Sequence, residues 1–277
     1  MISKKIFQLL FLPALVALVI WISLASCANE AKDEGAKALG AKKTNVIFMI
    51  SDGCGYNQIA VTDYYQLGIG GGQVYESFPY MAGMSTYPSG APGYDPEAAW
   101  NDFDYVREWA TDSAAAGTAL ATGEKTYYGA IGVDNDKKRI ENLVERAEKF
   151  GMATGVISSV QMSHATPATF VAHNESRNNY EEIGKEMLLD SAVDVIMGAG
   201  HPLYGNNHES AEGWIEYHYV GGEKTWDRLR AGKAGSDADG DGEADPWVFI
   251  ESVEDFKALM EGDTPKRVCG IAQARST

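Results

Sequence analysis

The chain has 277 residues and a formal net charge of −16, enough for one large α/β domain or two small ones with an ample core. So acidic a composition argues against a nucleic-acid partner, because phosphate-backbone binders present basic faces. If the protein acts on an anion, the local positive charge has to come from elsewhere than Lys and Arg, and bound metal ions are the obvious supply.

Lys4 and Lys5 precede an apolar run from Ile6 to Leu24, interrupted by Gln8, Pro13 and Ser23. That length allows a membrane-spanning helix. Its ending, LASC at 24–27, resembles the lipobox of bacterial lipoproteins, in which cleavage precedes the cysteine and Cys27 takes the lipid. Residues 1–26 therefore read as a lipoprotein signal peptide, with an uncleaved anchor or an ordinary export signal as the alternatives. All three export the protein, which is expected in the periplasm or at the cell surface, held to a bacterial membrane through Cys27. Cys54 and Cys269 are expected to be unpaired, since nothing in their spacing requires a bridge.

Residues 27–43 are polar and rich in Ala, Gly and Lys, as suits a tether. The near-continuous apolar run TNVIFMIS, 44–51, predicts a strand buried on both faces of a parallel sheet. SDGCG, 51–55, then places Asp52 at a strand's C-terminal end, where open parallel sheets bind ligands. A plain Asp-Gly turn explains the same residues. Residues 68–104, rich in Gly, Pro, Tyr and Asp, predict irregular structure or an insertion.

ATDSAAAGTAL, 110–120, predicts a helix of small side chains with an uncrowded first turn. Its free N–H groups and positive dipole end can face an anion. Ser113, at the mouth of that helix, is either an N-cap or a nucleophile facing a phosphate. RIENLVERAEKF, 139–150, has apolar positions at helical spacing, while GMATGVISSV, 151–160, and AVDVIMGAG, 192–200, predict two further buried strands. This alternation of strand and helix defines an α/β fold with a parallel sheet.

In SHATPATFVAHNESR, 163–177, His164 and Thr166 stand two apart with Pro167 behind them. An extended segment there would aim both side chains the same way, toward one metal. Arg177, beyond a predicted helix, has the planar fork that binds phosphate in bidentate fashion. Residues 201–246 read as loop-rich, which makes His201 and His208 surface residues. DADGDGEAD, 237–245, spaces Asp237, Asp239, Asp241 and Gly242 as in a calcium loop. Position twelve is Val248, where a bidentate Glu is expected, so a solvated acidic turn is the alternative.

Asp52, then TDSAAAGTALATG, then HATPA and SR, in this order, resemble the alkaline phosphatase family from about Asn45 to Gly200, and more faintly to the end. DSAAAGTALATG is the specific part; the DG.G pattern is weak without it. The resemblance implies an α/β three-layer sandwich with a mostly parallel central sheet, and hydrolysis of phosphate monoesters through a phosphoserine intermediate. It implies that Ser113 is the nucleophile and also contacts zinc, and that Arg177 holds the phosphate oxygens. Asp52 would bridge a zinc and a magnesium site, with His164 and Thr166 on the magnesium side of a centre of two zinc ions and one magnesium. Some members have Asp where this chain has His164, and the softer imidazole leaves the third metal's identity open. Cys54 stands where many relatives have Met, which reads as packing.

The family's later Asp and His ligands, and its Glu at the magnesium, have no counterpart: the five histidines are His164, His173, His201, His208 and His218. Residues 44–277 are therefore expected to be the N-terminal part of a longer catalytic domain, inactive alone. A homodimer is compatible with the resemblance. A phosphodiesterase or sulfatase of the same superfamily is the alternative, disfavoured by the Ala-rich sequence after Ser113. A non-catalytic calcium-binding surface lipoprotein is another, but it leaves Ser113, His164 and Arg177 unexplained.

Overall fold

The computed structural model describes residues 44–276 apart from 212 and 263. The signal-peptide, lipid and tether expectations for residues 1–43 lie outside them. Among the described residues, no helix is long and apolar enough to cross a membrane. The chain divides into two compact units, the first ending at Gly72 and the second starting at Gln73.

In the first unit, helix α1 (Tyr56–Leu67) begins after Gly55, whose N–H donates to Gln58 Oε1 at 3.1 Å. Asp63, buried on this helix, accepts the N–H groups of Gly71 and Gly72 at 2.7 and 3.3 Å. The strand expected over 44–51 is not formed, and Val46, Ile47 and Met49 are exposed. An apolar run records what a strand would bury, but a strand exists only through a ladder with a neighbour. Among the described residues of this unit there is no second strand.

The second unit opens with short helical segments at Val74–Ser77 and Pro96–Asn101, within the stretch expected to be irregular, and at Tyr105–Glu108 just after it. Then come α2 (Ser113–Thr122), α3 (Leu143–Lys149), β1 (Gly155–Gln161), α4 (Ala165–Ala168), α5 (Tyr180–Leu189), β2 (Val195–Ala199) and α6 (Glu223–Arg230). A short hairpin, β3 (Gly235–Ser236) with β4 (Asp245–Pro246), precedes β5 (Val248–Ile250), α7 (Val253–Ala258) and β6 (Val268–Ile271). Four strands form one all-parallel sheet in the order β1-β2-β6-β5. The α/β expectation, with a mostly parallel central sheet, holds, and β1 and β2 lie where apolar runs predict them.

Each element has a local cause. In α3, Asn142 Oδ1 accepts the Glu145 N–H at 3.0 Å and Glu145 accepts the Asn142 N–H at 3.1 Å, a reciprocal cap. In α5, Ile183, Met187 and Leu188 recur at helical spacing and are buried with Met162, Ile196 and Trp226. In α2, a Cβ added at Gly117 would stand 2.5 Å from Thr169 Oγ1, so only glycine lets α4 and its cap approach so closely. The helix ends at Gly123, whose φ of 81° is left-handed.

Arg267 ties the sheet to the hairpin from within. Its buried guanidinium donates to the carbonyls of Val193, Ser191 and Asp245 at 2.9–3.1 Å and lies 3.9 Å over the Trp247 ring. Burial lowers its pKa, but carbonyl acceptors replace the lost hydration.

Candidate functional site

The start of α2 is organised by Asp112 rather than by the serine. Asp112 is the N-cap, accepting the Ala115 N–H through Oδ1 at 3.0 Å, and Ser113 is the first helical residue. The expectation that Ser113 might itself be the cap is thus corrected. A serine cap would turn its hydroxyl back onto the helix, and the aspartate relieves it of that task. Ser113 is partly exposed.

The same carboxylate reaches across the fold. Asp112 Oδ1 also accepts the Gly129 N–H at 3.1 Å, and Oδ2 accepts from Arg177 Nη1 at 2.9 Å. Arg177 is held by its backbone too, since its N–H donates to the Gly129 carbonyl at 2.7 Å. The 129–132 loop is in turn fixed to α2: Thr118 Oγ1 donates to the Ala130 carbonyl at 2.9 Å and accepts the Gly132 N–H at 3.0 Å. A serine and an arginine 64 positions apart are therefore placed by one small network.

His164 completes this grouping. Its N–H donates to the Gln161 carbonyl at 2.9 Å where β1 ends, and its Nε2 lies 3.5 Å from Arg177 Nη2. The residue precedes α4 in extended geometry, φ −65° and ψ 161°. Thr166 is already inside α4, and its carbonyl accepts the Thr169 hydroxyl at 2.9 Å. The extended alignment of His164 with Thr166 is therefore not present. Pro167 restricts the residue before it but tolerates a helix's first turn, and here the helix prevails.

Asp52 belongs to the first unit. It is exposed, in a turn where the Cys54 N–H donates to the Ser51 carbonyl at 3.2 Å and Gly53 has φ 72°. With no strand over 44–51, the turn is what the structure has there. Cys54 and Cys269 are both free, as expected.

His201 departs from expectation, for it is buried. Its Nε2–H donates to Glu251 Oε2 at 3.0 Å, while Nδ1 accepts the Leu203 N–H at 3.1 Å. His208 is exposed, as expected.

In the acidic loop, Asp241 Oδ1 accepts the Glu243 N–H at 2.8 Å, and Asp245 rather than Asp241 joins Asp237 and Asp239, their oxygens within 4.8 Å of one another. Lys266 reaches into this group, donating to Asp239 at 2.7 Å and Asp245 at 2.8 Å, and holds both carboxyls below their ordinary pKa. Lys266, from outside the loop, thus bonds two of the three carboxylates in this group.

Fold and site together define an α/β protein with serine, arginine and histidine gathered beside a parallel sheet. The alkaline phosphatase family model matches residues 43–226, and the chain belongs to that family. It is 46% identical over 99 residues to alkaline phosphatase 4 of Bacillus subtilis, covering 34% of this chain and 22% of that protein. It is 30% identical over 242 residues to alkaline phosphatase H of Pseudomonas aeruginosa, covering 85% and 47%. Among solved structures, a His-to-Asp variant of the alkaline phosphatase from the Antarctic bacterium TAB5, with magnesium bound, has a TM-score of 0.55 at 25% identity and covers 82% of this chain and 52% of that one. The chain thus spans from about a fifth to about half of the length of these relatives.

Proposed function

We propose that the protein hydrolyses phosphate monoesters through a phosphoserine on Ser113. The observation that carries this is the Asp112–Arg177 ion pair beside Ser113 at the open start of α2. Ser113 Oγ attacks phosphorus as the ester bond breaks and the alcohol leaves with a proton; water then cleaves the phosphoserine, releasing phosphate and restoring the hydroxyl. Arg177 holds the equatorial oxygens, its plane fixed by Asp112, so that charge developing in the transition state meets a preorganised cation. The N–H groups of the first turn of α2 add to that field.

The hydroxyls of Ser113 and Thr166, the carboxylate of Asp52 and the imidazole of His164 are oxygen and nitrogen donors suited to zinc and magnesium. We assign these four residues to that centre, Asp52 and Thr166 on sequence match alone. Zinc, when bound, makes the serine oxygen nucleophilic at working pH. His164 is proposed to tune the third metal, and His164→Asp is expected to raise the number of magnesium ions retained per chain on dialysis; an unchanged number overturns that role.

Export and attachment through Cys27 belong to the same proposal, with Cys27→Ser shifting the protein from membrane to soluble fractions. Residues 1–277 alone are expected to turn over little, since stable zinc sites take three or four protein ligands. The test is hydrolysis of a monoester, a diester and a sulfate ester by the product of the whole reading frame. Preference for the monoester, lost in Ser113→Ala, is the expected result. Preference for the diester or sulfate overturns it.

A further inference from the structure

Arg177 is the second residue of a four-residue turn, 176–179, closed by the Asn179 N–H donating to the Ser176 carbonyl at 3.1 Å. The Asn178 N–H tightens it by donating to Ser176 Oγ at 3.3 Å. Just ahead of the turn, Asn174 pairs with Ile131 in an antiparallel bridge, each N–H donating to the other's carbonyl, at 2.8 and 2.9 Å. The backbone is thus tied to the 129–132 loop at Asn174 and again at Arg177.

The Asn174 side chain acts on the turn itself. Its Oδ1 accepts the Ser176 N–H at 3.0 Å and Asn179 Nδ2 at 2.8 Å, so one oxygen grips the first and last residues of the turn. Its Nδ2 donates to Glu182 Oε2 at 2.9 Å, in the first turn of α5. These partners fix which way the amide faces, since a flipped group would set its NH2 against the Ser176 N–H and its oxygen against a carboxylate. Asn179 departs from its usual local role. Asparagine is preferred as an N-cap because its oxygen accepts a free N–H of the first turn. Asn179 is the N-cap of α5, yet its side chain makes no capping bond and donates to Asn174 instead. A local rule broken in this way marks a demand from elsewhere in the fold.

We propose that Asn174 is a positioning residue for phosphate binding, which fixes the turn from which Arg177 reaches Asp112 and the phosphate oxygens. The proposal rests on the phosphomonoesterase reading above, in which Arg177 holds phosphate. Two-point contact between a guanidinium and a phosphate is geometrically specific, and such sites tolerate displacements of only about 0.5 Å. Asp112 holds the far end of the arginine through Nη1 at 2.9 Å, and Asn174 holds the turn at its near end. Held at both ends, the side chain meets phosphate with less of its ordering cost still outstanding.

The experiment titrates the product of the whole reading frame calorimetrically with inorganic phosphate, as wild type, Asn174→Ala, Arg177→Ala and the variant carrying both. Asn174→Ala keeps the backbone ties to Ile131 and Gly129. Its urea midpoint is therefore expected to stay near wild type while phosphate binds about tenfold more weakly, the scale of one or two lost hydrogen bonds. In the Arg177→Ala background the same substitution is expected to change phosphate affinity by less than about twofold, because it acts through the arginine. Asn174→Asp combined with Glu182→Gln keeps the net charge, the accepting oxygen and the outer bond with its polarity reversed, and is expected to bind phosphate as wild type does. Equal weakening by Asn174→Ala with and without Arg177, or failure of the reversed pair to recover affinity, overturns the positioning role. So does unchanged affinity in Asn174→Ala while Arg177→Ala binds weakly, and each of these leaves the phosphomonoesterase reading intact. Unchanged affinity in Arg177→Ala overturns the role of Arg177 in that reading, and the proposal with it.

Discussion

Asp112 shows how much one carboxylate can decide. Two of its bonds go to backbone N–H groups, at Ala115 and Gly129, and the third goes to Arg177. Asn keeps the acceptor oxygen that caps the helix, because Asn and Asp cap about equally well. It loses the charge that fixes the guanidinium fork. Asp112→Asn should therefore lower the affinity for inorganic phosphate about tenfold, the scale of one charge-assisted bond, while stability falls by only about 1 kcal/mol. Competitive inhibition by phosphate and a denaturant titration measure the two effects. Lost stability with unchanged phosphate affinity would give Asp112 a purely structural role. The small-residue helix that starts at Ser113 was legible in the sequence, whereas the job of Asp112 was not. An acid before a serine has a sufficient local explanation as a cap, and its ion-pair partner lies 65 residues away.

At the scale of elements, α2 and α4 carry Ser113 and follow His164, and their contact depends on the missing side chain at Gly117. Alanine is the better helix former by about 1 kcal/mol, yet its Cβ would sit 2.5 Å from Thr169 Oγ1 and 3.2 Å from Thr169 Cγ2. Gly117→Ala should cost about 1–3 kcal/mol through overpacking. Adding Thr169→Ala should restore most of that loss, because the nearest remaining atom is Thr169 Cβ at 3.4 Å. Urea midpoints of the two single variants and the double variant decide it. Additive losses would mean that the two residues do not compete for space.

The turn after β2 is pinned by His201, whose imidazole burial pushes below its ordinary pKa of 6.5 despite the facing Glu251; Arg230 pushes the same way. Below pH 6.5 the unfolded chain takes up a proton that the folded chain resists, so stability falls with pH in that window. Protonation of Nδ1 would also break the bond from the Leu203 N–H. His201→Gln should flatten the fall in urea midpoint between about pH 7 and 5 relative to wild type. Parallel curves for the two proteins would remove His201 as its source. Strands β1 and β2 were legible because their apolar runs are long. β5 and β6, of three and four residues, are too short to show a period, and β6 follows a buried arginine. Hydrophobicity over 44–51 could not supply the neighbouring strand that a ladder requires.

For the whole molecule, acidity and function meet in the same arrangement. With a net charge of −16, the site draws its positive field from Arg177, the N-terminus of α2 and the metals proposed to bind there, not from the surface at large. The family was legible because DSAAAGTALATG is specific to it, and the same run gives a helix of small side chains with an uncrowded first turn. The most direct measurement is the covalent state of that serine. The product of the whole reading frame, mixed with a phosphate monoester at mildly acidic pH, quenched in acid and digested, should yield one phosphorylated peptide with the modification on Ser113. The same treatment of Ser113→Ala should yield none. Steady hydrolysis with no phosphate on Ser113 at any quench time, or equal labelling of the Ser113→Ala protein, would contradict the account.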